Sequence, residues 1–179
     1  PENILLYRHE KNLGKGMALQ TGFRELLKSH SPDMIITIDS DLQHPPEYIP
    51  EFIHSFEKHG AHVVTGYRKR DLRIMPLSRI ISNSLTSLII SLMTGQLIPD
   101  SQCGFRLIDA TILPKMHFKE KRFHLESEFL IKSGWSGLTI NSVKIPTIYH
   151  SEKSSINHLR DTLNFVWLVL RLLKERSGF

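Results

Sequence analysis

The chain has 179 residues, 40% hydrophobic and 23% charged, enough for one domain with a sizeable core. That mixture excludes a mainly disordered chain, and ten Gly and nine Pro without a period exclude collagen-like and low-complexity readings. A net charge of +5 suits an anionic partner such as phosphate, nucleic acid or a lipid headgroup, while one cysteine, Cys103, allows no internal disulfide and points to a reducing compartment.

The elements alternate along the chain. Residues 3–8 (NILLYR) read as a short buried strand, and so abrupt an entry after Pro1 suggests an upstream segment. Residues 15–29 follow as a helix, with Met17, Phe23, Leu26 and Leu27 roughly on one face. Residues 34–38 (MIITI) are apolar without alternation, as a strand covered on both faces would be. Residues 47–58 form a second helix, started by Pro45 and Pro46. Residues 61–67 are the next strand and 68–73 a basic loop carrying Arg68, Lys69, Arg70 and Arg73. A long apolar helix rich in Ser and Thr spans 77–94, a polar turn 100–106, and a further helix 125–133. Residues 138–148 give a strand interrupted at Pro146, and 159–175 an amphipathic helix. No run reaches the ~20 apolar residues of a spanning helix, the nearest being 163–173 with Arg171 inside it, so a non-integral protein is expected. Strands separated by helices of this length predict a single α/β domain with a largely parallel sheet, whose ligand site lies beyond the carboxyl ends of the strands.

That rule directs attention to Asp39 and Asp41, to Arg68, and to the loop after Arg8. Two carboxylates two residues apart at a strand exit can aim hard oxygens at one Mg²⁺ or Mn²⁺, while phosphates and water complete the shell. The same pair also reads as an Asx turn ending the strand. Gly14-Lys15-Gly16 precedes a helix, where backbone N–H groups and an ammonium can meet an anion, although the spacing is not that of a P-loop. Cys103 has no His or acid pattern that would make it a nucleophile. Gly104 reads as a conformational glycine in the turn that Asp100 and Arg106 shape. Glu126 and Glu128 are two apart on a helix and therefore point to different sides.

The strand followed by DSDLQHPPE resembles the signature of family-2 glycosyltransferases, in particular the dolichyl- or polyprenyl-phosphate hexose synthases. NLGKGMALQTGF (12–23), PLSRIISN (76–83) and DSQCGFRLID (100–109) are similar to further segments of that group, as is the block from Phe123 to Phe165. The resemblance implies the GT-A fold, a Rossmann-like mixed and mostly parallel sheet flanked by helices. It implies too that this sequence starts after the family's first strand and nucleotide-pocket loop. Under it, residues 1–179 form one transferase domain that moves a hexose from a nucleotide sugar of the GDP-mannose or UDP-glucose type to a polyprenyl phosphate, with inversion. Asp39, Asp41 and Gln43 would hold Mg²⁺ or Mn²⁺ on the donor's diphosphate, and His44 would stand outside that shell. Lys15 would contact the donor together with Asp39 and Asp41. Arg68 and Arg79 would bind the acceptor phosphate, helped by Ser82 or Asn83, since the family's Ser falls at the position of Asn83. Arg70 and Arg73 would remain solvated cations.

A phosphate acceptor is ionised at neutral pH and needs no base, which leaves Glu126 and Glu128 structural or in contact with the donor. A sugar-hydroxyl acceptor, as in polysaccharide synthesis, would need one of them as base. A basic nucleic-acid module is the reading from another class, but the cations lack interleaved aromatics and any such motif, so no nucleic acid is expected. The last helix reads either as a core-facing helix or as an interfacial one with Trp167 and its arginines at headgroup depth. The expected setting is the cytoplasmic face of a membrane, bound peripherally.

Overall fold

In the computed structural model, which describes residues 4–73, 75–121, 124–148 and 158–177, the strand-forming runs assemble into a four-stranded sheet with helices on both faces. The strands are β1 (Met34–Thr37), β2 (Val63–Arg68), β3 (Arg106–Asp109) and β4 (Ile140–Ile145), in the order β1-β3-β2-β4. β3 runs antiparallel to both neighbours, pairing Thr37 with Arg106 on one side and Thr65 with Arg106 on the other, while β2 and β4 are parallel. Three strands therefore point one way, and their carboxyl ends share an edge with the start of β3.

β3 is the strand that the residue pattern hides. It is four residues long and begins at Arg106, a charge inside what reads as a polar turn. Arg106 is only 3% exposed. Its guanidinium is satisfied by three carbonyls, donating to Cys103 O, Ser101 O and Glu126 O. A buried guanidinium is tolerated only with such a full set of partners.

Alternation along the strands loads both faces of the sheet. Ile35, Val63 and Ile108 face one core with Phe23, Ile90, Phe129, Leu130 and Phe165, contributed by α1 (Lys15–Ser29), α3 (Leu77–Thr94), α4 (Leu125–Trp135) and α5 (His158–Ser177). Val64 and Leu107 face the other core with Phe52 of α2 (Ile49–His59) and Phe105. The Phe52 and Phe105 rings stack with centroids 4.2 Å apart, and burying each side chain stabilises the fold by roughly 1.5–3 kcal/mol.

Two helices keep an apolar face in the open. On α3, Leu77, Ile81, Leu85, Leu88 and Leu92 form an exposed stripe opposite the side that buries Ser87 and Ile90. This helix is long and apolar enough to cross a membrane by length and composition, with a mean hydropathy of 1.2. α3 therefore exceeds 163–173 as the most apolar helical run. α5 buries Phe165, Leu168 and Leu172 and exposes Leu163, Trp167 and Leu170, so it is core-facing on one side and apolar on the other.

Over 4–8, the described part of the strand expected at 3–8, no strand forms. Residues 4–8 have no partner in the sheet among the described residues, and Ile4, Leu5, Leu6 and Tyr7 are exposed. Apolar, β-branched composition supplies propensity, but an isolated strand without a hydrogen-bonding neighbour is not stable. Residues 149–157 of the C-terminal block lie outside the described residues.

Candidate active site

The exit of β1 sets the site. Asp39 stands two residues past Thr37, whose hydroxyl donates to Gly104 O at 2.8 Å and locks the loop before β3 against the end of β1. The Asp39 carboxylate lies directly on Gly104: a Cβ there would come within 2.4 Å of Asp39 Oδ2. The glycine is thus required by close approach, not by its backbone, whose φ is outside the left-handed region. This corrects the conformational reading of Gly104 and ties the DSD loop to the GFR turn.

Asp41 behaves as the Asx turn that the residues also allowed. Its Oδ1 accepts from Gln43 N at 3.0 Å, and Leu42 between them sits at φ 60°. A leucine in the left-handed region costs on the order of 1 kcal/mol, strain stored in the loop that carries Asp41 and Gln43. Both Asp41 and Leu42 are exposed.

His44 closes the loop from inside. It is 4% exposed, its Nδ1 accepts from Asp39 N at 3.2 Å, and its Nε2 lies 3.7 Å from Cys103 Sγ. Burial holds its pKa below the ordinary imidazole value, against the pull of the Asp39 charge, so the ring is the neutral acceptor that this bond requires. The sequence pattern leaves this role unread, because nothing in QHPP says that the imidazole turns back to the strand end. Cys103 is buried, and burial followed by the nearby Asp100 charge pushes its thiol up to about 12. It is inert, as its surroundings in the sequence suggest.

Lys15 enters from the start of α1, after Gly14 at φ 90°. Its Nζ lies 2.7 Å from Asp39 Oδ1, 2.9 Å from Asp39 Oδ2 and 3.3 Å from Glu126 Oε1. Glu126, in the first turn of α4, is 3.9 Å from Arg106 Nη2. Glu128 faces away. It is fully buried, accepts from Lys119 N and Glu120 N, and pairs with Lys132 at 2.8 Å, so it anchors the loop before α4 instead of meeting a ligand.

The basic loop is more structural than its composition suggests. Arg68 donates from Nε to Asp100 Oδ2 at 2.8 Å and from Nη2 to Asp100 Oδ1 at 3.3 Å. Burial opposes its charge, but the Asp100 charge and hydrogen bonds outweigh that and hold the guanidinium above its ordinary pKa. Arg70 is no solvated cation, which corrects the expectation. Its Nη2 donates to Asn83 O, Ser87 Oγ and Pro99 O and so staples the loop to α3. Arg73 is exposed. Arg79 is half-buried near the start of α3, with Ser82 and Asn83 one turn on. Lys15, Asp39, Gly104, Arg106 and Glu126 are thus joined in one contact network, and Arg68 adjoins it through Asp100.

Against known families, the model of glycosyl transferase family 2 matches residues 1–116. The chain belongs to that family. Among curated relatives it is 31% identical over 151 residues to the UDP-N-acetylglucosamine–dolichyl-phosphate N-acetylglucosaminyltransferase of Methanococcus voltae, covering 82% of this chain and 60% of that one. It is 26% identical over 171 residues to the undecaprenyl-phosphate 4-deoxy-4-formamido-L-arabinose transferase of Yersinia pestis, covering 96% and 48%. Among solved structures it superposes on glucosyl-3-phosphoglycerate synthase of Mycobacterium tuberculosis, in complex with Mn²⁺, UDP and glucosyl-3-phosphoglycerate, with a TM-score of 0.64 at 22% identity, covering 93% of this chain and 56% of that one. This likeness fixes the fold as GT-A. The chain spans about half to three fifths of the length of these proteins.

The family's metal can be tested against the residues present. Asp39, Asp41 and Gln43 offer only oxygen ligands, the set that Mg²⁺ and Mn²⁺ take. No group of three or more His, Cys, Asp or Glu residues gathers as a closed cage among the described residues. That fits a site using one or two carboxylates and leaving the other positions to phosphate oxygens and water. The Asp39 carboxylate, pressed on Gly104, is paired with one cation here, the Lys15 ammonium.

Proposed function

We propose that this chain is the catalytic part of a metal-assisted glycosyltransferase that moves a hexose from a nucleotide sugar to a polyprenyl phosphate, with inversion, by a single in-line displacement. The observation that carries the reading is the pairing at the strand ends: Asp39, at the exit of β1, meets Lys15, and Arg68, which ends β2, is held there by Asp100. The family membership and the two lipid-phosphate sugar transferases among the relatives support the acceptor class.

Asp39, Asp41 and Gln43 would hold Mg²⁺ or Mn²⁺, which neutralises the charge that grows on a departing nucleoside diphosphate. Lys15 would meet the same diphosphate. His44 holds the Asp39 backbone, and Gly104 leaves the room its carboxylate occupies, so both bear on where the ligand oxygens point. Arg79, with Ser82 or Asn83, would orient the acceptor phosphate, and Arg68 would lend it positive field while remaining fixed to Asp100. No general base is required. Glu128 is fully buried and Glu126 is engaged by Lys15, which speaks against the sugar-hydroxyl alternative.

The exposed stripes of α3 and α5 suit peripheral attachment at the cytoplasmic face of a membrane, where an acceptor's lipid tail would stay in the bilayer. Transfer of radiolabelled sugar from GDP-mannose, UDP-glucose and UDP-N-acetylglucosamine to a polyprenyl phosphate in Mn²⁺ tests the reading. Label should move to the lipid with one of these donors, and Arg79→Ala should raise the acceptor KM or lower kcat while leaving donor binding little changed. Label that reaches only a sugar hydroxyl, or none of these acceptors, refutes the acceptor assignment.

A further inference from the structure

Lys15 occupies both oxygens of Asp39. An ammonium has three protons to donate and can sit between two carboxylates, as it does here with Asp39 at 2.7 and 2.9 Å and Glu126 at 3.3 Å. The oxygens it covers are the ones a dication would need. Two cations crowded onto one carboxylate repel strongly at this distance, so the ammonium and the metal exclude one another. Glu126 is placed for the exchange. Its backbone carbonyl accepts from Arg106 Nη1 at 3.1 Å, and it is only 9% exposed, so it does not move with the ammonium. The loop at 39–43 is more exposed and has a strained residue in it.

We infer that Lys15 is a built-in counter-ion of the metal loop, neutralising Asp39 until a dication replaces it, and that Glu126 is the second seat that then keeps the displaced ammonium beside the donor's diphosphate. This rests on the reading of Asp39 as a metal ligand. It makes Glu126 a positioning residue acting through Lys15, neither a base nor a ligand. The lysine side chain gives the empty site its neutrality and prevents a bare carboxylate from standing against the Gly104 backbone.

Free Mn²⁺, followed by electron paramagnetic resonance, measures the exchange without any turnover. The 179-residue chain, Lys15→Met, Glu126→Gln, the double variant and Asp39→Asn are titrated with Mn²⁺ alone and with Mn²⁺ plus UDP or GDP, after thermal unfolding shows each to be folded. Lys15→Met should bind Mn²⁺ alone about two- to fivefold more tightly, the worth of a half-exposed ion pair. Glu126→Gln should bind it more weakly, because Lys15 then has only Asp39 to sit on, and the double variant should match Lys15→Met. Unchanged or weaker binding in Lys15→Met overturns the counter-ion role. A Glu126→Gln loss that persists without Lys15 overturns the second seat and leaves only the field of a nearby carboxylate. If Lys15→Met fails to fold, Lys15→Gln takes its place with the same expectations. Should the parent chain bind no Mn²⁺ under any condition, or Asp39→Asn bind it unchanged, the metal reading itself falls, which separates the two failures.

Discussion

Gly104→Ala isolates the contact on which the site geometry depends. The added Cβ would stand 2.4 Å from Asp39 Oδ2, 2.7 Å from Cγ and 2.8 Å from Oδ1. Ordinary contact begins at 3.4 Å, so the carboxylate must retreat by about 1 Å. Because φ at residue 104 is not left-handed, alanine itself is acceptable to the backbone. The relief is a rotation of Asp39, costing about 0.5–1.5 kcal/mol off its rotamer and offset by about 0.4–1 kcal/mol from the stiffer unfolded chain. Stability should therefore change by no more than about 1 kcal/mol, a shift of a few degrees in Tm for a chain of this size. Activity should fall on the order of a hundredfold, since a ligand oxygen displaced by 1 Å no longer meets its target. Thermal unfolding read beside Mn²⁺ binding and sugar transfer tests both halves. A variant with parental Mn²⁺ affinity and kcat/KM would refute the argument, and one that loses many degrees of Tm would show that the glycine serves the fold.

Asp41→Ala should abolish metal-dependent transfer with its circular dichroism and Tm near the parent's, since the Asp41 side chain accepts from Gln43 N within an exposed turn; near-normal transfer would remove Asp41 from the ligand set. Glu128→Gln should cost about 3 kcal/mol and lower Tm by roughly 6–12 °C, because two backbone N–H groups and the Lys132 ammonium lose a buried carboxylate, while kcat of the folded protein stays the same. Depression of the His44 pKa gives a pH signature with a definite sign. The unfolded chain takes up the proton first, near 6.5, so this group's stabilising contribution is complete above that pH and is lost as pH falls through the lower folded value. Urea unfolding of the parent should weaken on acidification below about 6.5 more than that of a His44→Asn variant, and identical slopes would contradict the buried neutral ring.

Much of the architecture was legible because period and punctuation survive in one dimension. α1 and α3 have the bounds that periodicity predicts, β1 and β4 fall inside their expected runs, and β2 overruns its own by one residue, to Arg68. β3 was not legible, because a strand of four residues starting with a buried arginine carries no alternation to read. The strand expected at 3–8 had the right composition and no neighbour, and pairing is a property of two segments. At the site, Asp39, Asp41 and Lys15 could be found from residue type, position after a strand and family likeness. Their partners could not be found. Arg70 reads as a solvated cation until its three acceptors on α3 and the loop at 99 come into view.

Residue order alone determined the alternation of strands and helices, the acidic loop at a strand exit, and the excess of positive charge that suits phosphate. Only the folded chain decided that Asp39 lies on Gly104, that Lys15 bridges Asp39 and Glu126, and that Arg68 is held by Asp100. The partners in these four contacts are separated by 24 to 111 residues along the chain. Local propensity acts over a few residues, whereas the charge balance of a site is set by whichever side chains the sheet order and helix packing bring within a few ångströms.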